Sequence, residues 1–168
     1  MKALLFLPLL LTQAEIAWSA DSAFEVLVTS EGSVGADREA VTRDLKKIEA
    51  IVGCELPHNY VRAMLRNPIK TVSYQDVFSA ERILDELQGC ELFEPFTKQR
   101  LLPISGYYSC DFILIDADTG FAFLINITRT DLQDKGNPPD KAAIIKAAEM
   151  AWPSFESYFA YRLATMRP

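Results

Sequence analysis

Residues 111–127 read DFILIDADTGFAFLINI. Two runs rich in branched and aromatic residues, 111–116 and 121–127, flank the tetrapeptide Ala117-Asp118-Thr119-Gly120. Runs of this length and composition fit strands. The tetrapeptide is turn chemistry, with Gly120 able to take positive φ. The stretch therefore predicts an antiparallel hairpin, which needs no crossover helix to join its strands. Helical patterns lie on both sides of it, so the order is helices, sheet, helices. That order is α+β rather than alternating βαβ. The expected architecture is a central, mainly antiparallel β-sheet with helices packed around it.

Working back from the hairpin, residues 100–104 (RLLPI) read as a short strand whose Pro103 favours an edge or a bulge. Residues 105–109 (SGYYS) read as a loop, and 69–73 (IKTVS) as another strand. Upstream, Val41, Leu45, Ile48 and Val52 fall at i, i+4, i+7 and i+11, an apolar helical stripe. Asp37 suits its start and Gly53 its left-handed end. Pro57 can open a second helix running to about Arg66, burying Tyr60, Val61, Met64 and Leu65 and ended by Asn67-Pro68. Ser79 can cap a third, with Ile83, Leu84 and Leu87 inward and Gly89 as its close. Glu91, Phe93, Glu94 and Phe96 alternate as in a half-buried strand. Beyond the hairpin, 131–140 reads as an exposed loop and 141–151 as a helix broken by Trp152-Pro153. A last helix carries Phe155, Tyr158, Phe159 and Leu163 on one face, with Trp152 beside it as core.

The chain has 168 residues and a formal charge of −6. Its 10 Phe, 6 Tyr and 2 Trp exclude a disordered chain, and three Cys exclude a disulfide-dense scaffold. The acidic balance speaks against nucleic-acid binding, which needs clustered Lys and Arg. One histidine excludes any mechanism that needs two. At the amino terminus, Lys2 precedes the uncharged run ALLFLPLLL and then TQAEIAWSA. That is a secretory signal pattern over residues 1–19, too short for a stable membrane span. Residues 20–36 read as an extended arm or linker, and 37–168 as a single domain. Cys54, Cys90 and Cys110 show no Cys-x-x-Cys spacing, and their odd number leans toward a reducing compartment. The expected location is the cytoplasm if residues 1–19 are not a signal, and the periplasm or exterior if they are.

Several motifs stand in a recognisable order. Ile48-x-x-Ile51-Val52-Gly53 is followed by Leu56-Pro57-x-x-Tyr60. Leu102-Pro103-Ile104 precedes Asp111-Phe112-x-x-x-Asp116-x-x-x-Gly120, and Ser154-Phe155-Glu156-Ser157-Tyr158-Phe159 stands near the end. Over about residues 38–165 the chain resembles the SUKH superfamily, which includes the Smi/Knr-type cell-wall regulator of yeast and many bacterial immunity proteins. The resemblance implies a binding role rather than catalysis, with no cofactor and a toxin as the typical partner. The chain departs from the pattern at Asn67-Pro68, where the family often has Asn-Gly, and at Cys110, where a small residue is common.

The residues expected to meet a partner are Tyr107, Tyr108, Asp111, Asp116, Asp118, Glu91 and Glu94. Loop tyrosines are favoured interface anchors. The carboxylates would supply a negative surface that captures a basic face. Against this, Asp118-Thr119-Gly120 is also what a hairpin turn requires, and charge runs are commonly just solvated. Asp111, Asp116 and Asp118 are hard-oxygen ligands in type, but no Glu follows at calcium-loop spacing, so no metal is expected. Cys54 and His58 could pair a thiolate with a base, yet Pro57 intervenes and no catalytic residue is expected. The leading reading is an immunity protein that neutralises a cognate toxin by direct binding. The alternative is an envelope-associated regulatory protein of the same fold, and a small hydrolase is the remote one.

Overall fold

In a computed structural model the described residues are 36–66, 77–106, 110–134 and 139–165. The expected signal (1–19), most of the expected arm (20–35), the expected strand at 69–73, Tyr107, Tyr108 and the side chain of Leu163 lie outside them.

The chain is an α+β fold. Strands β1 (Leu101–Gly106), β2 (Asp111–Asp116), β3 (Ala122–Asn126) and β4 (Met150–Trp152) form one antiparallel sheet in the order β1-β2-β3-β4. The predicted hairpin is β2–β3, with Asp111 opposite Asn126 and Ile115 opposite Ala122. Both faces of β1 and β2 are covered, so these strands are near-continuous apolar runs without alternation. The expected irregularity at Pro103 is a register shift between Pro103 and Ser105. There the outer side of β1 is engaged: Phe78 N–H donates to Ile104 O at 2.8 Å, and Val77 bridges to Ser105.

Helices α1 (Arg38–Val52), α2 (His58–Arg66), α3 (Ala80–Gly89) and α4 (Glu94–Lys98) precede the sheet; α5 (Lys141–Lys146) and α6 (Phe155–Thr165) flank β4. Helix α1 begins where Asp37 accepts from Glu39 N–H, and ends at Gly53 with φ +70°. Its stripe of Val41, Leu45, Ile48 and Val52 is buried. Helix α3 begins at Ser79, whose Oγ accepts from Arg82 N–H at 3.2 Å. It packs on α1 and β1. Ser154 caps α6 through Ser157 N–H at 3.2 Å, and Trp152 stacks edge-on against Tyr158.

Four expectations need correcting. Residues 91–96 are not a strand: Glu91–Phe93 is a 3-10 turn that runs into α4. Phe93 and Phe96, three apart, are both fully buried, and Pro95 sits in the first turn of α4, where its missing N–H costs nothing. The helix expected over 141–151 stops at Lys146, and Met150–Trp152 pairs with β3. Burying Trp152 opposite Ala122 outweighs the helix propensity of the intervening Ala, Glu and Met. Gly89 is the last helical residue, and the cap is Cys90 in an extended conformation. Val61 and Leu65 are half-buried, so only Tyr60 and Met64 of the four expected on α2 reach the core, with Ala63 beside them.

Candidate functional site

The β2–β3 hairpin gives the sheet two polar ends. At its turn, Asp116 N–H donates to Phe121 O at 2.8 Å and Gly120, at φ +76°, donates back to Asp116 O at 2.8 Å. The Asp116 side chain is only 3% exposed as a residue, and its carboxylate is fully engaged. Oδ1 accepts from Asp118 N–H at 3.1 Å and from Lys141 Nζ at 2.6 Å; Oδ2 accepts from Thr119 Oγ1 at 2.8 Å. Asp118 accepts from Lys141 Nζ at 2.7 Å and from Arg100 at 2.9 Å. Arg100 holds a positive φ of 61°, and its carbonyl accepts from Ala117 N–H at 2.9 Å.

Two carboxylates thus meet two cations. The bonds from Lys141 and Arg100 hold the Asp118 carboxyl below its usual value. Burial alone would lower the Lys141 ammonium; the bonds to Asp116 and Asp118 outweigh it, and the net shift is upward. Cys54 is close enough to feel this group of charges. Burial and then the Asp118 carboxylate push its thiol up, only partly offset by Arg100 and Lys141. That is the reverse of what an activated thiolate needs.

Asp111 stands at the far end of β2, roughly 16 Å away at the usual rise per residue. It is half-buried and accepts from Asn126 Nδ2 at 2.6 Å. Near this end Gln133 Nε2 donates to Ile127 O at 2.6 Å and to Leu92 O at 2.9 Å, which ties the 3-10 turn to the sheet. The turn presents Glu91 and Leu92, both exposed, and Glu94 follows at the start of α4 with Lys98 at 2.7 Å. Among the described residues Leu92 is one of four large apolar side chains left exposed, at 36%.

The anticipated residues therefore do not form one surface. Asp116 is interior and Asp118 is ion-paired at the turn, while Asp111, Glu91 and Glu94 lie toward the other end of the sheet or along α4. Tyr107 and Tyr108 lie outside the described residues. Sequence reading missed Lys141 and Arg100 as partners of the turn. The one signal for Lys141 was Asp140, which caps α5 and places Lys141 at its first position. It also missed Leu92, which nothing in the sequence marks as exposed.

A cleft of about 330 Å³ lies between the starts of α2 and α6, with His58, Asn59, Thr119, Ser154 and Glu156 among its lining. Asn59 Nδ2 donates to Glu156 Oε1 at 3.4 Å, and Ser154 Oγ is occupied as the α6 cap. Among the described residues, no three His, Cys, Asp or Glu side chains come together so as to hold a metal ion. None of the described helices is long and apolar enough to cross a membrane. No family model matches the chain, and no curated protein or solved structure matches it.

Proposed function

We propose that the chain is a non-catalytic protein-binding domain, an immunity protein that neutralises a cognate bacterial toxin by occluding it. The observation that carries this is Leu92, an exposed leucine between Glu91 and Glu94 on a turn that Gln133 anchors to the sheet. An apolar centre with an acidic rim suits a basic protein face. Burial of the leucine supplies affinity, and the carboxylates speed the encounter and select its charge. The overall charge of −6 acts in the same direction. The order of motifs that resembles the SUKH superfamily supports the same reading. The proposed contacts are Glu91, Leu92, Glu94 and Asp111, while Asp116 and Asp118 hold the hairpin. Blockade is steric and electrostatic, with no turnover and no cofactor.

The test is to mix the chain with the toxin encoded beside its gene, following complex formation by gel filtration and toxin activity in the same samples. A complex and loss of activity are expected, with Leu92→Asp and Glu91→Lys/Glu94→Lys each weakening binding by about tenfold or more. An unaffected toxin, or variants that bind as well as the parent, would refute the reading. The apolar run at residues 3–11 favours a second reading, an envelope-associated regulator of the same fold. A periplasmic protein whose mass lacks residues 1–19 would select it.

A further inference from the structure

Two of the large apolar side chains left exposed among the described residues, Met150 at 37% and Tyr161 at 39%, lie beside one margin of the sheet. Strand β4 pairs with β3 on one side, and among the described residues no strand pairs with its other side. Met150 and Trp152 are two apart and share a face of the sheet. It is the face on which α6 lies, since the Trp152 ring sits 5.0 Å from that of Tyr158 and 5.3 Å from that of Tyr161. Ala151 falls on the opposite face and is exposed. Strand margins are commonly guarded by charge, by proline or by a bulge. The strand Met150–Trp152 carries no charge, and Glu149 and Pro153 stand just outside it.

We infer that β4 is the contact between two copies of this chain, which pair antiparallel about a two-fold axis at Ala151 and join their sheets into one. In this register the strand is its own complement. Ala151 faces the second copy's Ala151, two small side chains without charge. Met150 of each copy faces Trp152 of the other on the α6 side, where a thioether meets the Trp152 and Tyr161 rings. Glu149 faces Pro153, so no like charges are opposed. A two-fold contact needs such self-complementarity, because every pair occurs twice. The other margin of the sheet is engaged by Val77 and Phe78, which leaves one such contact per copy and closes the assembly at two. A strand of this length spans about 10 Å. The contact therefore falls below the roughly 1,200 Å² of a standard stable interface, and the dimer is reversible.

Analytical ultracentrifugation of the full-length protein, from about 1 μM to about 1 mM, tests this. A reversible equilibrium between monomer and dimer is expected. Ala151→Lys and, separately, Ala151→Glu place like charges across the axis. Each is expected to weaken the dimer about tenfold or more while leaving the circular dichroism spectrum unchanged. An equimolar mixture of the two variants is expected to recover the dimer, because the introduced charges are then opposite. Leu92→Asp is expected to leave self-association unchanged, so toxin binding and dimer formation succeed or fail separately. A chain that stays monomeric throughout, or a mixture that fails to recover, would overturn the proposal. So would association that neither Ala151 variant weakens, as contact through the apolar run at residues 3–11 would give, or association that continues beyond two copies.

Discussion

The ammonium of Lys141, the first residue of α5, sits 2.6 Å from Oδ1 of Asp116, the last residue of β2. The bond spans 25 residues of chain and fixes α5 against the hairpin turn. Asp116 also accepts from Asp118 N–H and Thr119 Oγ1, so its buried charge is well satisfied only while all three donors are present.

Lys141→Met removes the one formal positive charge bonded to Asp116 and leaves a buried carboxylate with neutral donors. We expect a loss of about 2–3 kcal/mol in urea unfolding at neutral pH. Asp116→Asn combined with Lys141→Met should cost less than the two single losses added, because the variants share one interaction. Strict additivity would show that the pair is not coupled.

Asp118 contributes modestly to the acid side of stability, because its side chain is 40% exposed. Its folded pKa lies below the ordinary 3.8, first through Lys141 and then through Arg100. Its stabilising effect is therefore complete above the unfolded value and is lost as pH falls through the folded one. The unfolding midpoint should decline as pH falls through and below the ordinary carboxylate range, and Asp118→Asn should flatten part of that decline. Parallel curves for parent and variant would remove Asp118 from the account.

Tyr60 is wholly buried on α2, and its hydroxyl finds no hydrogen-bond partner among the described residues. Burial pushes the phenol well above its ordinary pKa. Its ring packs edge-on against Phe155 at 5.5 Å. Tyr60→Phe keeps that packing and removes the orphaned group, so stability should hold or rise by about 1 kcal/mol. Tyr60→Ala should cost about 3–5 kcal/mol. Thermal or urea unfolding of the pair separates ring from hydroxyl.

Two glycines that look alike in sequence should respond oppositely to alanine. Gly53 has φ +70° and open space around its missing Cβ, so Gly53→Ala should destabilise by about 1 kcal/mol through backbone strain alone. Gly89 is helical with open space as well, and Gly89→Ala should stabilise by about 0.5–1 kcal/mol. Paired unfolding midpoints would check both signs.

Those two residues also show which parts of the fold were legible beforehand. Where a local rule and the tertiary contacts agree, as at Asp37, Gly53, Ser79 and the strands 111–116 and 122–126, sequence reading and structure coincide. Where they compete, packing decides. Ala147 to Met150 are good helix residues, yet the strand carrying Trp152 forms against β3. Phe93 and Phe96, three apart, share a face in a helical turn and not in a strand, and the overlooked signals were that spacing and Pro95. The turn's charge network was half legible: the acids are adjacent in sequence, but their cations come from positions 100 and 141. No local pattern joins residues so far apart.

The margins of the sheet carry a consequence for how the protein behaves in company. An exposed strand edge is a template on which other chains add, and the usual outcome is aggregation. Here the outer side of β1 is engaged by the Phe78–Ile104 bond and the Val77 bridge, while the opposite margin, β4, is three residues long. Among the described residues neither margin offers a long unbroken row of amide groups. Concentrated solutions should therefore resist strand-by-strand growth into fibrils.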